Sequence, residues 1–175
     1  VPLRTRNARA LAAARTEHAA EIVYWAFVQW CFDTQAAELK AYANAKGVAL
    51  MGDLPIFIAH HSADCWARPD LYFLDDESQP SVVAGVPPDI FSVDGQRWGN
   101  PLYRWSVHAQ GGYAWWIARV RRSVEMLDIV RIDHFRGLAG DRSVSAGALT
   151  AREGAWFPAP GADPLHAIRA RSRDL

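Results

Sequence analysis

Twice in this chain a helical apolar stripe runs into a short apolar stretch that closes on an aspartate, and this repeated unit constrains the fold more than any other feature. In the first unit Trp25, Val28, Phe32, Ala36, Leu39 and Ala43 recur at steps of three and four, which predicts helix over residues 19–46 with a division near Asp33-Thr34. Gly47 is a natural residue to follow the helix end. Val48 to Met51 then reads as a short buried strand, ended by Gly52-Asp53-Leu54-Pro55, where Pro55 stops regular pairing. In the second unit Ile117, Val120, Val124 and Leu127 mark a helix over 113–127, and a strand over 128–133 follows. Helix, short apolar strand, acid is the rhythm of an α/β protein with a parallel sheet.

The second strand carries the densest chemistry, Val130-Arg131-Ile132-Asp133-His134-Phe135-Arg136-Gly137. In extended chain Ile129, Arg131 and Asp133 point to one side and Val130 and Ile132 to the other. Charge on one face of an apolar strand is costly unless it is used. Two readings stand side by side. Asp133 is a carboxylate nucleophile that Arg131 keeps ionised and oriented, or the two make a structural ion pair with a neighbouring element. His134 either binds substrate hydroxyls or is a satisfied structural histidine. Asp53, at the end of the first strand, either shapes the same site or caps the following turn.

Residues 59–112 read differently, with Pro69, Pro80, Pro87, Pro88 and Pro101 set among Trp66, Tyr72, Phe91, Trp98, Tyr103 and Trp105. Prolines at that density argue for a long irregular excursion, and the aromatics for an ordered one that covers a site. Asp89, Phe91, Gln96, Trp98 and Asn100 offer an aromatic face beside amide and carboxylate groups, which suits the apolar ring faces and hydroxyl rims of sugars. The same residues equally describe a loop packed by its own aromatics. His60-His61-Ser62-Ala63-Asp64 lacks metal-ligand spacing and a nucleophile elbow, and adjacent histidines diverge in extended chain, so Ser62 and Asp64 are read as loop organisers. Residues 138–155 show little periodicity, and 164–171 begin a last helix.

Composition sets the class. The 175 residues are 50% hydrophobic and 22% charged, with zero formal net charge, so there is no electrostatic footprint for nucleic acid or an anionic membrane. The apolar run from Trp25 to Phe32 is too short for a membrane span. Cys31 and Cys65 lack metal-ligand spacing and read as reduced thiols of a cytoplasmic protein. Neither a metal nor an organic cofactor is implied, and no feature specifies an oligomeric state. The chain begins with Val1, which points to a fragment or an alternative start codon.

Taken in order, six pieces resemble the 4-α-glucanotransferase (amylomaltase) family, glycoside hydrolase family 77 of the α-amylase clan. They are Phe27-Val28-Gln29-Trp30, Gly52-Asp53-Leu54-Pro55-Ile56-Phe57, Ser62-Ala63-Asp64-Cys65-Trp66-Ala67, Gly85 to Ser92, Gly95 to Tyr103 and Arg131 to Gly137. The resemblance implies an α/β fold that is part of a (β/α)₈ TIM barrel with a long lid-loop excursion over 59–112. It implies that Asp133 is the nucleophile with Arg131 beside it, that Asp53 is the acid of the clan's first conserved region, and that residues 89–98 cover donor and acceptor glucans. Substrate binding then falls to Asp53, Asp89, Phe91, Gln96, Trp98, Asn100 and His134, and the partners are maltodextrins, α-1,4-glucan donor and acceptor. Ile90 stands where the family often has Tyr. Retaining transfer needs a second carboxylate about 5–5.5 Å from the nucleophile. The family's glutamate for that role has no counterpart here, and Glu153, the only Glu after Asp133, sits in an unmatched setting. Residues 139–149 also depart from the family pattern. A complete barrel takes about 250 residues. The expectation is therefore a piece of a glucanotransferase, ending at Arg173-Asp174-Leu175 before the barrel is complete and inactive alone, with a non-catalytic glucan-binding remnant or a clan hydrolase as alternatives.

Overall fold

A computed structural model describes residues 2–171, so Arg173-Asp174-Leu175 lies outside the described residues. The chain is mixed α/β and forms two compact units, residues 2–52 with 124–129 and residues 53–123 with 130–171. No closed barrel is present among the described residues: the strands form one two-stranded and one four-stranded sheet.

The smaller unit is built on two helices. α1 (Ala8–Glu17) is started by Asn7, whose side-chain oxygen accepts from the N–H groups of Arg9 and Ala10. Its alanines and arginines are strong helix formers. α2 (Ala19–Ala45) is continuous and has no division at Asp33-Thr34. Thr34 stays in the helix by donating its hydroxyl to the Trp30 carbonyl one turn back, at 2.9 Å. The helix ends as expected at Gly47: Gly47 N–H bonds Asn44 O and Val48 N–H bonds Ala43 O, both at 2.9 Å, with Gly47 at φ +74°. That is a Schellman motif, and the left-handed residue in it is the one a glycine adopts without penalty. Ala43 alone is buried on α2, whereas Tyr24, Trp25, Phe27, Trp30, Phe32 and Leu39 are exposed.

The first strand, β1 (Met51–Pro55), lies later than periodicity placed it. Leu50 still belongs to the approach, where its carbonyl accepts the N–H groups of Asp128 and Ile129. Pro55 is the last strand residue, a position where its missing donor costs no ladder bond.

The excursion contains regular structure. α3 (Ala63–Ala67) is capped by Ser62, whose hydroxyl accepts Cys65 N–H at 3.2 Å, and a 3₁₀ turn at Pro69–Leu71 follows. β2 (Val82–Val86) and β3 (Gln96–Pro101) form an antiparallel hairpin, and α4 (Trp105–Gln110) closes the stretch. α5 (Ala114–Met126) and β4 (Ile129–Asp133) are the second predicted helix and strand. β4 neighbours β1, and its exposure alternates as the strand reading required, with Val130 and Ile132 more covered than Ile129, Arg131 and Asp133.

Beyond a 3₁₀ turn at Phe135–Leu138, β5 (Gly140–Ser145) and β6 (Ala155–Pro158) occupy the stretch that showed no periodicity, and α6 (Asp163–Arg171) ends the described chain. The sheet order is β3-β2-β5-β6, with each of these pairs antiparallel. β5 escaped pattern reading because its buried positions include Asp141 and Ser143 beside Val144, so hydropathy does not alternate where burial does.

The core of the larger unit holds Ile56, Phe57, Tyr72, Tyr103, Trp116 and Leu138, all at least nine-tenths buried. Tyr103 is its centre. Its ring meets Phe57, Tyr72, Trp105, His108 and Trp116, and its hydroxyl donates to Ile56 O at 2.6 Å. Burying a phenol is tolerable because that one polar atom is satisfied. No helix among the described residues is long and apolar enough to cross a membrane.

Candidate functional site

β1 and β4 bring Asp53, Arg131 and Asp133 together. The Arg131 guanidinium donates a two-bond fork to Asp53, 2.8 Å to each oxygen, and a third bond to Asp133 at 3.3 Å. Its stronger partner is thus the acid of the other strand. A planar fork matches a carboxylate edge, so this pair fixes the guanidinium, and the Nη2 that makes one arm of the fork also donates to Asp133. The fork holds the Asp53 carboxyl below its usual value and raises Arg131 in turn. Asp53 is therefore kept ionised and is unsuited to donate a proton.

At the end of β4 the chain turns sharply. His134 has left-handed backbone angles, φ 53° and ψ 47°, a conformation uncommon for a residue with a side chain and concentrated at functional positions. The turn sets its imidazole edge-on to Trp98, with ring centroids 4.7 Å apart. Phe57 packs against both rings. Burial lowers the His134 pKa, with nearby Asp133 opposing, so the ring is neutral near pH 7 and can both donate and accept.

These side chains line a cleft of about 140 Å³ walled by Pro55, Ile56, Phe57, Trp98, Asn100, Asp133 and His134. Asn100 donates to Ile58 O at 2.8 Å, which leaves its carbonyl oxygen for other contacts, and Gln96 accepts the Trp98 indole N–H at 3.1 Å. Of the residues expected to bind substrate, the structure gathers Trp98, Asn100 and His134 beside Asp133, with Gln96 one hydrogen bond removed and Asp53 two, through Arg131. Asp89 and Phe91 are not in its lining. They sit on the loop from β2 to β3, where Asp89 accepts the N–H groups of Phe91 and Ser92, both at 2.9 Å. That loop presents Ile90, Phe91 and Val93 to solvent, at 92%, 85% and 75% exposure. It is tied at its base by Asp94, whose carboxylate accepts from Arg152 and whose carbonyl accepts Ala151 N–H.

Phe57, the aromatic floor of the cleft, was missed as a site residue; the signal available was its place directly after Pro55-Ile56, at the end of the first strand. The histidine rings do not diverge as they would in extended chain: His60 and His61 lie in a turn with their rings 5.0 Å apart, and His60 bonds Ser78 O. Asp64 accepts the Trp115 indole N–H, the organising role expected of it. Among the described residues no group of three or more His, Cys, Asp or Glu side chains is placed to hold a metal ion.

Comparison with known proteins agrees across sequence and structure. A family profile described as 4-alpha-glucanotransferase matches residues 1–175. The chain is 50% identical over 161 residues to the 4-alpha-glucanotransferase of Thermus thermophilus, covering 92% of this chain and 32% of that protein. It is 41% identical over 167 residues to an Arabidopsis thaliana 4-alpha-glucanotransferase whose name adds "chloroplastic/amyloplastic", covering 95% of this chain and 29% of the relative. Among solved structures, amylomaltase from Streptococcus agalactiae in complex with acarbose superposes with a TM-score of 0.94 at 41% identity, covering 99% of this chain and 35% of that one. The chain spans about a third of the length of the curated relatives it matches.

Proposed function

We propose, for a chain that belongs to the 4-alpha-glucanotransferase family, that these residues supply the nucleophile and part of the glucan-binding surface of a retaining glucan transfer. The observation that carries the reading is the single guanidinium shared by Asp53 and Asp133 at the mouth of an aromatic cleft. In this reading Asp133 attacks the anomeric carbon of a maltodextrin donor. The bond from that carbon to the leaving glucan's O4 breaks, and a general acid protonates O4. The 4-hydroxyl of an acceptor glucan then attacks the same carbon, loses its proton to the same group, and releases Asp133. Arg131 orients the nucleophile. Trp98 and Phe57 supply apolar surface for a sugar face, and His134 and Asn100 supply hydrogen bonds to hydroxyls.

The proton donor is another residue. Asp53 is held ionised by its fork with Arg131, and Asp133 is the only carboxylate among the cleft's lining residues. In this proposal β1 and β4 are adjacent strands of a (β/α)₈ barrel, and the 59–112 excursion, with Ile90, Phe91 and Val93 at its tip, is the cover over donor and acceptor. A covered site excludes water, which favours transfer over hydrolysis. The two unbonded cysteines support a cytoplasmic setting.

The test has two arms. Calorimetry on the 175-residue chain with maltotriose should give millimolar binding without turnover; no binding would overturn the glucan site. The chain exchanged into the matching third of the Thermus thermophilus relative should convert maltotriose to glucose plus longer maltodextrins. Shortening alone would mean a hydrolase, and turnover that survived Asp133→Asn would overturn the nucleophile.

A further inference from the structure

The floor of the cleft at Asp133 is held from behind by a residue that does not line it. β1 ends at Pro55, and the residues that follow, Ile56, Phe57 and Ile58, belong to no strand yet are buried. Pro55, Ile56 and Phe57 line the cleft. Past a strand end backbone carbonyls need other donors, because a buried carbonyl left unanswered is costly. Side chains supply them here. Arg119 of α5 donates to Pro55 O at 2.7 Å and to Ile56 O at 3.2 Å, across 64 and 63 residues of chain. The Tyr103 hydroxyl also donates to Ile56 O, and Asn100 donates to Ile58 O.

Arg119 is itself fixed. It stands four residues after Trp115 and three after Trp116, so all three share one face of α5. Its guanidinium carbon lies 5.3 Å from the ring centre of each tryptophan, close enough for both rings to attract the cation. Trp116 is buried, and the Trp115 indole N–H donates to Asp64 at 3.0 Å, which hold the two rings in place. Phe57 sits between the clamped carbonyls of Ile56 and Ile58. Its ring centroid is 6.3 Å from that of Trp98 and 6.4 Å from that of His134. A shift of the backbone at Pro55-Ile56 therefore moves the apolar floor against both.

We propose that Arg119 is a positioning residue for glucan binding: it clamps the backbone at Pro55-Ile56 and so sets Phe57 against Trp98 and His134. The proposal rests on the glucan reading of the cleft and adds to it a residue from outside the lining. A binding surface is only as exact as the groups that support it, and a floor free to move by about 1 Å meets a sugar face poorly. Lysine is no equivalent, since its ammonium is a point charge without the planar fork that reaches two carbonyls at once.

Maltotriose is titrated by calorimetry into the 175-residue chain and into Arg119→Met and Arg119→Lys. Methionine keeps an apolar stem and removes the donors; it should weaken binding about tenfold, which corresponds to roughly 1.4 kcal/mol. Lysine keeps the charge and part of the clamp, and should weaken binding about threefold. The Trp98 indole N–H resonance, identified by its loss in Trp98→Phe, should move in ligand-free Arg119→Met, because the neighbouring Phe57 ring shifts. Lys40→Met is the control. Lys40 likewise clamps carbonyls, those of Val124, Glu125 and Leu127, but in the smaller unit. Its loss should change neither the affinity nor that resonance. Unchanged affinity in both Arg119 variants, or an unmoved Trp98 resonance, would overturn the proposal and leave the glucan reading standing. An equal loss of affinity in Lys40→Met would also overturn it, as a general effect of stability. No binding by the unaltered chain would bring down the glucan reading and the proposal with it. If Arg119→Met does not fold, Arg119→Lys decides by the same two measurements.

Discussion

Replacing Asp141 by Asn should make the stability of this fold more sensitive to acid, because it removes one of two buried groups whose titrations oppose each other. Burial pushes the Asp141 carboxyl from 3.8 up to about 6, against a smaller opposing effect of the Trp105 hydrogen bond. Burial also lowers the His108 imidazole from 6.5 to about 4. Between about pH 4 and 6, folding therefore takes up a proton at Asp141 and gives one up at His108. For Asp141 the folded value is raised, so stability falls as pH rises through that window. By about pH 7 its ionised form has cost the fold about 3 kcal/mol, at roughly 1.4 kcal/mol per pH unit. For His108 the folded value is depressed, so its stability is complete above about 6.5 and declines as pH falls toward 4, again by about 3 kcal/mol. In the wild-type chain the two slopes nearly cancel. In Asp141→Asn only the histidine slope remains. The assay is urea unfolding followed by tryptophan fluorescence at several pH values, read as variant minus wild type. That difference should grow in the variant's favour by about 3 kcal/mol from about pH 4 to pH 7. An Asn amide left without a partner would displace the whole curve but not tilt it. A difference that stayed constant with pH would refute the reasoning, since Asp141 would then titrate in the folded chain as it does in water.

Other perturbations test the site and its supports. Trp98→Ala removes the aromatic wall beside Asp133 and should weaken maltotriose binding roughly tenfold by calorimetry while leaving thermal unfolding almost unchanged. Arg131→Gln should return the Asp53 carboxyl toward 3.8 in a carbon-detected NMR titration, since the fork is the principal cause of its low value. Gly95→Ala should destabilise the β2–β3 hairpin by about 2 kcal/mol or more, because Gly95 has φ +67° and an added Cβ would run into the Val86 carbonyl. Denaturant unfolding checks it, and an unchanged midpoint would show that the loop relaxes freely.

Much of the candidate site was legible because strand geometry is local. An alternation of two residues along 129–133 was enough to put Arg131 and Asp133 on one face, and the exposure pattern of β4 follows it. Gly47 was equally readable, since a helix end that needs a left-handed residue selects glycine. Pattern failed where polar residues occupy buried positions. Asp141 and Ser143 hid β5, and no count of hydrophobic spacing would have found a strand whose inner face carries a carboxyl. It failed again at Asp33-Thr34, where a side chain returns its hydrogen bond to the helix instead of ending it.

The sequence by itself determined the membership of the family, the two helix–strand units and the local chemistry of each strand end, because all three depend on residue order and short-range period. Only the tertiary structure decided which acid Arg131 serves. The guanidinium belongs first to Asp53, 78 residues away, and reaches Asp133, its near neighbour, by one longer bond. Two residues apart on a strand, Arg131 and Asp133 share a face and a single Nη2 bond, whereas the adjacent strand offers a carboxylate aligned with the planar fork. A sequence places charges on a face; the partner each one finds depends on which strands are brought side by side.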